Sequence, residues 1–99
     1  MLLVDTSVWV DHLRGHDAAL ADLLSAGEAA CHPFVIGELA CGGIRNRQEV
    51  LSLLAALPSL PKAEEDEVLL LIERRRLMGR GLGLVDMHLL ASCAMAGVV

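Results

Sequence analysis

Two short apolar runs constrain this chain more than anything else in it. Residues 1–4 are wholly apolar and stop at Asp5-Thr6-Ser7, and residues 29–32 form a second short run that stops at Pro33. Each reads as a short buried strand leading straight into a helix. Asp, Thr and Ser side chains accept hydrogen bonds from the free N–H groups of a first helical turn, and the fixed φ and missing N–H of proline suit that turn. Short apolar strands alternating with amphipathic helices predict an α/β fold, a short parallel sheet covered by helices on both faces.

The remaining segments fit that scheme. A helix through Val8, Trp9, His12 and Leu13 breaks at Gly15; Asp17 caps a second, with a stripe of Leu20, Leu23 and Leu24 closed by Gly27. Phe34 to Gly42 carries Val35, Ile36 and Leu39 at helical spacing. Asn46 caps a fourth helix with Val50, Leu53, Leu54 and Leu57 inward, ended by Pro58. Residues 59–63, with Pro58 before them and Pro61 among them, have room only for a short or edge strand. Glu64 to Asp66 then open a long helix that finishes at Arg74-Arg75-Arg76, charges that complement the helix dipole at both ends. After Gly79, Gly81 and Gly83 comes a helix from about Val85, with Met87, Leu90, Ala91, Ala94 and Met95 on one face and Leu89, Cys93 and Ala96 on the other. An apolar surface on both sides predicts a central helix, and residues 97–99 turn toward a further buried strand.

Composition narrows the function. At 99 residues and 55% hydrophobic, the chain forms one domain of marginal stability and not a disordered segment. A net charge of -5 argues against a broad basic nucleic-acid-binding face, though not against a local site. With Trp9 and Phe34 as the whole aromatic complement, base-stacking platforms cannot be built. Cys31, Cys41 and Cys93 lack Cys-x-x-Cys spacing and read as small buried hydrophobes in a reducing compartment. No secretory signal or membrane-length apolar run is present, so the expected location is the cytoplasm.

Three acids stand in uncharged surroundings: Asp5 after the first strand, Glu38 within the helix that follows the second, and Asp86 in the first turn of the last helix. Each also has an ordinary structural explanation, Asp5 and Asp86 as helix caps and Glu38 as the exposed edge of its helix. Taken together they have a chemical one, because ligands of open α/β sheets gather at the carboxyl ends of the strands. Three carboxylates in one pocket repel one another by about 4 kcal/mol per close pair, so a cation must sit between them, and neutralising Asp5 should stabilise the metal-free fold. Oxygen ligands without His or Cys suit Mg²⁺ or Mn²⁺.

In the segments Leu3-Val4-Asp5-Thr6-Ser7-Val8-Trp9-Val10-Asp11, Ile36-Gly37-Glu38-Leu39-Ala40-Cys41-Gly42 and Leu84-Val85-Asp86-Met87-His88-Leu89-Leu90-Ala91-Ser92-Cys93, the chain resembles the PIN-domain endoribonucleases. Within that family it is similar to the VapC-type toxins of bacterial toxin–antitoxin modules. The resemblance runs the length of the chain and implies that Asp5, Glu38 and Asp86 are metal-binding catalytic carboxylates, supported by the hydroxyl of Thr6 or Ser7. It also implies Mg²⁺-dependent hydrolysis of RNA, neutralisation by a cognate VapB-type antitoxin, and a homodimer with no membrane association. Members of the family continue past the last helix into a further strand, a fourth acid and a closing segment, whereas this sequence stops at Val99. The expectation is therefore a PIN-like domain over 1–99, truncated at its C-terminus, acting as a ribonuclease. The alternative is a catalytically inactive binding module that keeps the antitoxin and dimer contacts.

Other constellations are weaker. His12 and His16 are four apart, but Gly15 breaks the helix and no metalloprotease Glu follows. Gly79-Arg80-Gly81-Leu82-Gly83 follows a helix and reads as a connector, and Ser7 stands where dehalogenase-type phosphatases carry a second Asp. The Arg residues at 45, 47, 74–76 and 80 have the charge to contact RNA phosphates, but a run such as 74–76 at a helix C-terminus fits dipole complementarity better.

Overall fold

The computed structural model describes residues 1–15 and 19–98. Strand β1 (Leu2–Leu3) lies parallel to β2 (Ala29–Ala30), with Leu2 opposite Ala29 and Leu3 opposite Ala30. On the other side of β2, Cys31 forms a parallel bridge with Ser59: the Cys31 N–H donates to the Pro58 carbonyl at 2.7 Å and the Leu60 N–H to the Cys31 carbonyl at 2.9 Å. Residues 59–63 thus contribute an edge contact and no strand, because Pro58 and Pro61 have no N–H to extend the ladder.

Helices α1 (Thr6–Leu13), α2 (Ala19–Ser25), α3 (Pro33–Cys41), α4 (Arg47–Ala55), α5 (Glu65–Arg75) and α6 (Leu84–Ala96) follow the order expected. Asp5 caps α1, and Pro33 occupies the first turn of α3. The expected cap at Asp17 and the partner His16 lie outside the described residues. Gly27, at φ 69°, ends α2 by letting the Glu28 N–H reach back to the Leu23 carbonyl at 2.9 Å. Acidic residues open α5, where the Glu64 N–H donates to the Glu67 carboxylate at 3.0 Å, and Arg74 and Arg75 close it.

The core has two parts. Val4, Trp9, Leu20, Val35, Leu39 and Leu54 join Ala29, Cys31 and Leu89 in one cluster, while Ala63, Val68, Met87 and Ala91 form a second beneath α5. Helix α6 lies between them, with Leu89 in the first and Met87 and Ala91 in the second. Its expected burial on both faces holds for Met87 to Leu89 and for Ala91 and Ser92. It fails for Leu90, Ala94, Met95 and Ala96, which are exposed, Met95 by 50%. The C-terminal turns run beyond the two core clusters. Gly97, at φ 65°, then stops the helix, and the Val98 N–H returns to the Cys93 carbonyl at 2.9 Å; Val99 is outside the described residues.

Three local expectations are corrected. Asn46 stands at the start of α4 but makes no side-chain cap, because its backbone is left-handed (φ 52°), a conformation that Asn tolerates better than most residues. Leu53 is 63% exposed, and the inward residues of α4 are Val50, Leu51 and Leu54, with Leu57 packing on the core just beyond the helix. Cys41 is exposed, at the end of α3, whereas Cys31 is buried and Cys93 half-buried; burial pushes the thiol pKa of both up, which keeps them protonated. No helix among the described residues is long and apolar enough to cross a membrane.

Candidate active site

Asp5 follows β1 at its carboxyl end, where the chain turns into α1. Its extended backbone (φ -69°, ψ 157°) aims the side chain back over the first turn, so that Oδ2 accepts the Ser7 hydroxyl at 2.8 Å and the Ser7 N–H at 3.4 Å. Asp86 is the third residue of α6, and its Oδ2 accepts the Gly83 N–H at 3.0 Å. Both carboxylates are therefore oriented by hydrogen bonds to a charged acceptor, the stronger kind. Asp5 and Asp86 line one cleft of about 300 Å³, walled by Leu3, Leu82, Leu89, Leu90 and Cys93.

Glu38 reaches this pair through a hydroxyl. The Thr6 Oγ1–H donates to Glu38 Oε1 at 2.6 Å, joining the residue next to Asp5 to the outer face of α3. Glu38 itself is exposed, which removes the burial cost expected for a carboxylate on an apolar helix. It lines a larger neighbouring cleft of about 970 Å³ with Phe34, Lys62 and His88, and with Leu84 and Val85 from the first turn of α6. The structure brings Asp5 and Asp86 into one cleft and ties Glu38 to Thr6, the residue after Asp5. It does not close all three into one pocket: among the described residues no group of three or more His, Cys, Asp or Glu side chains is placed to hold a metal ion. Two carboxylates in a shared cleft still fit Mg²⁺ or Mn²⁺, since a small hard cation is commonly held by one or two carboxylates and keeps several waters.

Sequence reasoning missed the polar pair beneath the site. His32, wholly buried between β2 and α3, accepts the Phe34 N–H on Nδ1 at 3.0 Å, and its Nε2 lies 2.9 Å from Ser92 Oγ, also wholly buried, on α6. A His immediately before Pro33 and a Ser within an apolar helix were the available signals. Burial lowers the His32 pKa from its ordinary 6.5, aided electrostatically by the neighbouring His88 on α6 and Lys62 on the segment before α5. The sign follows: as pH falls through 6.5 the unfolded chain takes up a proton at this position and the folded one does not, so stability declines with acid until the lowered folded pKa is reached. The urea midpoint is expected to be lower at pH 5.5 than at pH 7.5, with a shallower dependence in His32→Asn; equal slopes in parent and variant would remove His32 as the cause.

The family model for the PIN domain matches residues 2–99. The chain belongs to the PIN-domain family. Ribonuclease VapC32 of Mycobacterium tuberculosis, from strain CDC 1551 / Oshkosh and from strain ATCC 25618 / H37Rv, is 59% identical over 97 residues, a match spanning 98% of this chain and 78% of the relative. In this PIN domain, then, a parallel strand pair carries Asp5 to the end of the sheet, and the glycine-rich connector ends at Gly83, whose N–H orients Asp86. The connector is thus part of the acid's setting and not a nucleotide loop. His12 packs edge-on against Trp9 at 6.1 Å, in keeping with a structural role.

Proposed function

We propose that this PIN domain is a VapC-type endoribonuclease toxin that hydrolyses RNA phosphodiester bonds with Mg²⁺ or Mn²⁺. The observation that carries this reading is the meeting of Asp5 and Asp86, from opposite ends of the sequence, in one cleft with Glu38 tied beside them through Thr6. Asp5 and Asp86 would hold the cation, their carboxylates oriented by the hydrogen bonds from Ser7 and Gly83. When bound, the cation polarises a phosphoryl oxygen and makes an attacking water more acidic. Glu38, positioned by Thr6, completes the acidic side, and Leu89 and Leu90 give the cleft an apolar wall. A net charge of -5 would repel RNA, and a bound divalent cation would neutralise the charges of Asp5 and Asp86, offsetting that repulsion locally. A cognate VapB-type antitoxin holds the toxin inactive in the cytoplasm, where it acts as a homodimer; exposed Leu69, Leu70 and Leu84 offer apolar surface for such partners.

The test is cleavage of single-stranded and structured RNA by the purified chain. Cleavage in Mg²⁺ or Mn²⁺ that stops on chelation and resumes with added Mn²⁺ supports the reading. An inert chain that still binds the product of a small adjacent upstream reading frame would instead mark a binding module without turnover. The tether has its own expected result. Thr6→Val keeps the branched shape but removes the hydroxyl, so kcat should fall roughly ten- to a hundredfold as Glu38 loses its position. Because the Thr6–Glu38 bond lies at the surface, the melting temperature should scarcely move; a Thr6→Val enzyme with parental kcat would show that Glu38 needs no such support.

A further inference from the structure

We infer that His32 and Ser92 form a buried latch that sets how α3 and α6 sit against each other, making His32 a positioning residue for Glu38 and Asp86. This rests on the ribonuclease reading above. Helix α3 carries Glu38 and helix α6 carries Asp86, so the relative placement of these two helices is the placement of the two acids. His32 engages both helices with one rigid ring. Its Nδ1 accepts the Phe34 N–H at 3.0 Å, so Nδ1 bears no proton; the proton is on Nε2, which donates to Ser92 Oγ at 2.9 Å. His32 and Ser92 are both fully buried and stand 60 residues apart in the chain.

The other contacts around the latch are less directional. Phe34 packs edge-on against His32 at 5.3 Å and His88 at 4.7 Å, and Lys62 lies over the Phe34 ring at 5.3 Å. Ring packing of this kind tolerates a small slide of one helix along the other, whereas a buried hydrogen bond at both ring nitrogens does not, since an unmade one leaves a polar atom without water. Asp86 lies six residues before Ser92, and Glu38 six after His32. At 1.5 Å per residue each acid is about 9 Å along its segment from the latch, close enough that a shift of the latch is passed on to it by helix rigidity.

Ser92→Ala, His32→Asn and the double variant test this in the full chain. Asn at 32 can keep an oxygen acceptor for the Phe34 N–H but is too short to reach Ser92. Each single variant is expected to lose roughly tenfold in kcat and, by calorimetry, roughly tenfold in Mn²⁺ affinity, with KM for RNA within about twofold of the parent. The double variant should lose no more than the singles, since both remove the same bond. Should His32→Asn fail to fold, Ser92→Ala carries the test alone, because Ala fits within the space of Ser. Singles that lower only the melting temperature, or a double variant whose loss is the product of the two, would overturn the latch while leaving the ribonuclease reading intact. A parent that binds Mn²⁺ without cleaving RNA overturns the ribonuclease reading, and the Mn²⁺ affinity of Ser92→Ala then decides the latch. A parent that neither cleaves nor binds Mn²⁺ overturns both.

Discussion

Asp86→Asn is expected to lower kcat for RNA cleavage by at least about a hundredfold in a protein that remains folded. Two separate properties of the side chain underlie that split. Its Oδ2 accepts the Gly83 N–H at 3.0 Å, fastening the connector to the first turn of α6, and an Asn oxygen can accept the same bond. What Asn cannot supply is the negative charge, which in the proposed reading holds a cation and which favours the positive end of the helix dipole. The dipole share is worth a few tenths to about 1 kcal/mol, small enough for the domain to survive. The cation share is the reaction itself, where removing one preorganised electrostatic contact commonly costs two to three orders of magnitude. Asp86→Ala should match this in activity but lose the Gly83 bond as well, and so melt lower than Asp86→Asn. Circular dichroism melts beside single-turnover cleavage rates distinguish the two effects; an Asp86→Asn enzyme retaining more than a tenth of parental kcat would take Asp86 out of the metal site.

Asp5→Asn should be equally inactive, but the stabilisation expected from three crowded carboxylates does not follow from the structure. Asp5 is exposed and accepts two hydrogen bonds from Ser7, and the three acids do not share one enclosed pocket. Asn is as good a helix cap as Asp, so the melting temperature should stay close to the parent's.

What could be read from the sequence was local. The boundary at Asp5 and the start at Pro33 depend on cap and proline chemistry within a few residues, and both stand where expected. So do the helix ends at Gly27 and Gly97, where the backbone turns left-handed. Periodicity failed where burial depends on a neighbour that the spacing cannot supply. Leu53 shares a helical stripe with Leu54 yet points to solvent, and Leu90, Ala94, Met95 and Ala96 are apolar yet exposed. The same division applies to the site. The three acids could be singled out because they interrupt apolar segments, and the motif resemblance grouped them. The hydroxyl of Thr6 on Glu38 and the imidazole of His32 on Ser92 are tertiary contacts, 32 and 60 residues apart, with no periodic trace in the chain.

Leu39→Ala is expected to be the most destabilising of the aliphatic truncations near the site, and it bears on how Glu38 is supported from behind. Leu39 is 2% exposed and packs in the core cluster with Val4, Trp9, Val35 and Leu54. Truncation to Ala removes three carbons from a close-packed region that relaxes only in part, at a cost of about 2–5 kcal/mol. Small domains have only about 5–15 kcal/mol of stability in all, and in a chain of this size each kcal/mol is worth roughly 4–8 °C. The melting temperature should therefore fall by at least about 8 °C. Leu53→Ala is the matched control, the same chemical change on a side chain 63% exposed, and should shift stability by no more than about 0.5 kcal/mol. Equal losses in the two variants would mean that α4 faces the core differently from the arrangement described here. Below its lowered transition, Leu39→Ala should still cleave RNA with near-parental kcat, because Glu38 remains tied to Thr6 on one side of α3 while His32 and Ser92 anchor its start. A loss of kcat well below that transition would instead make the core packing of Leu39, and not the polar ties, the element that holds Glu38 in place.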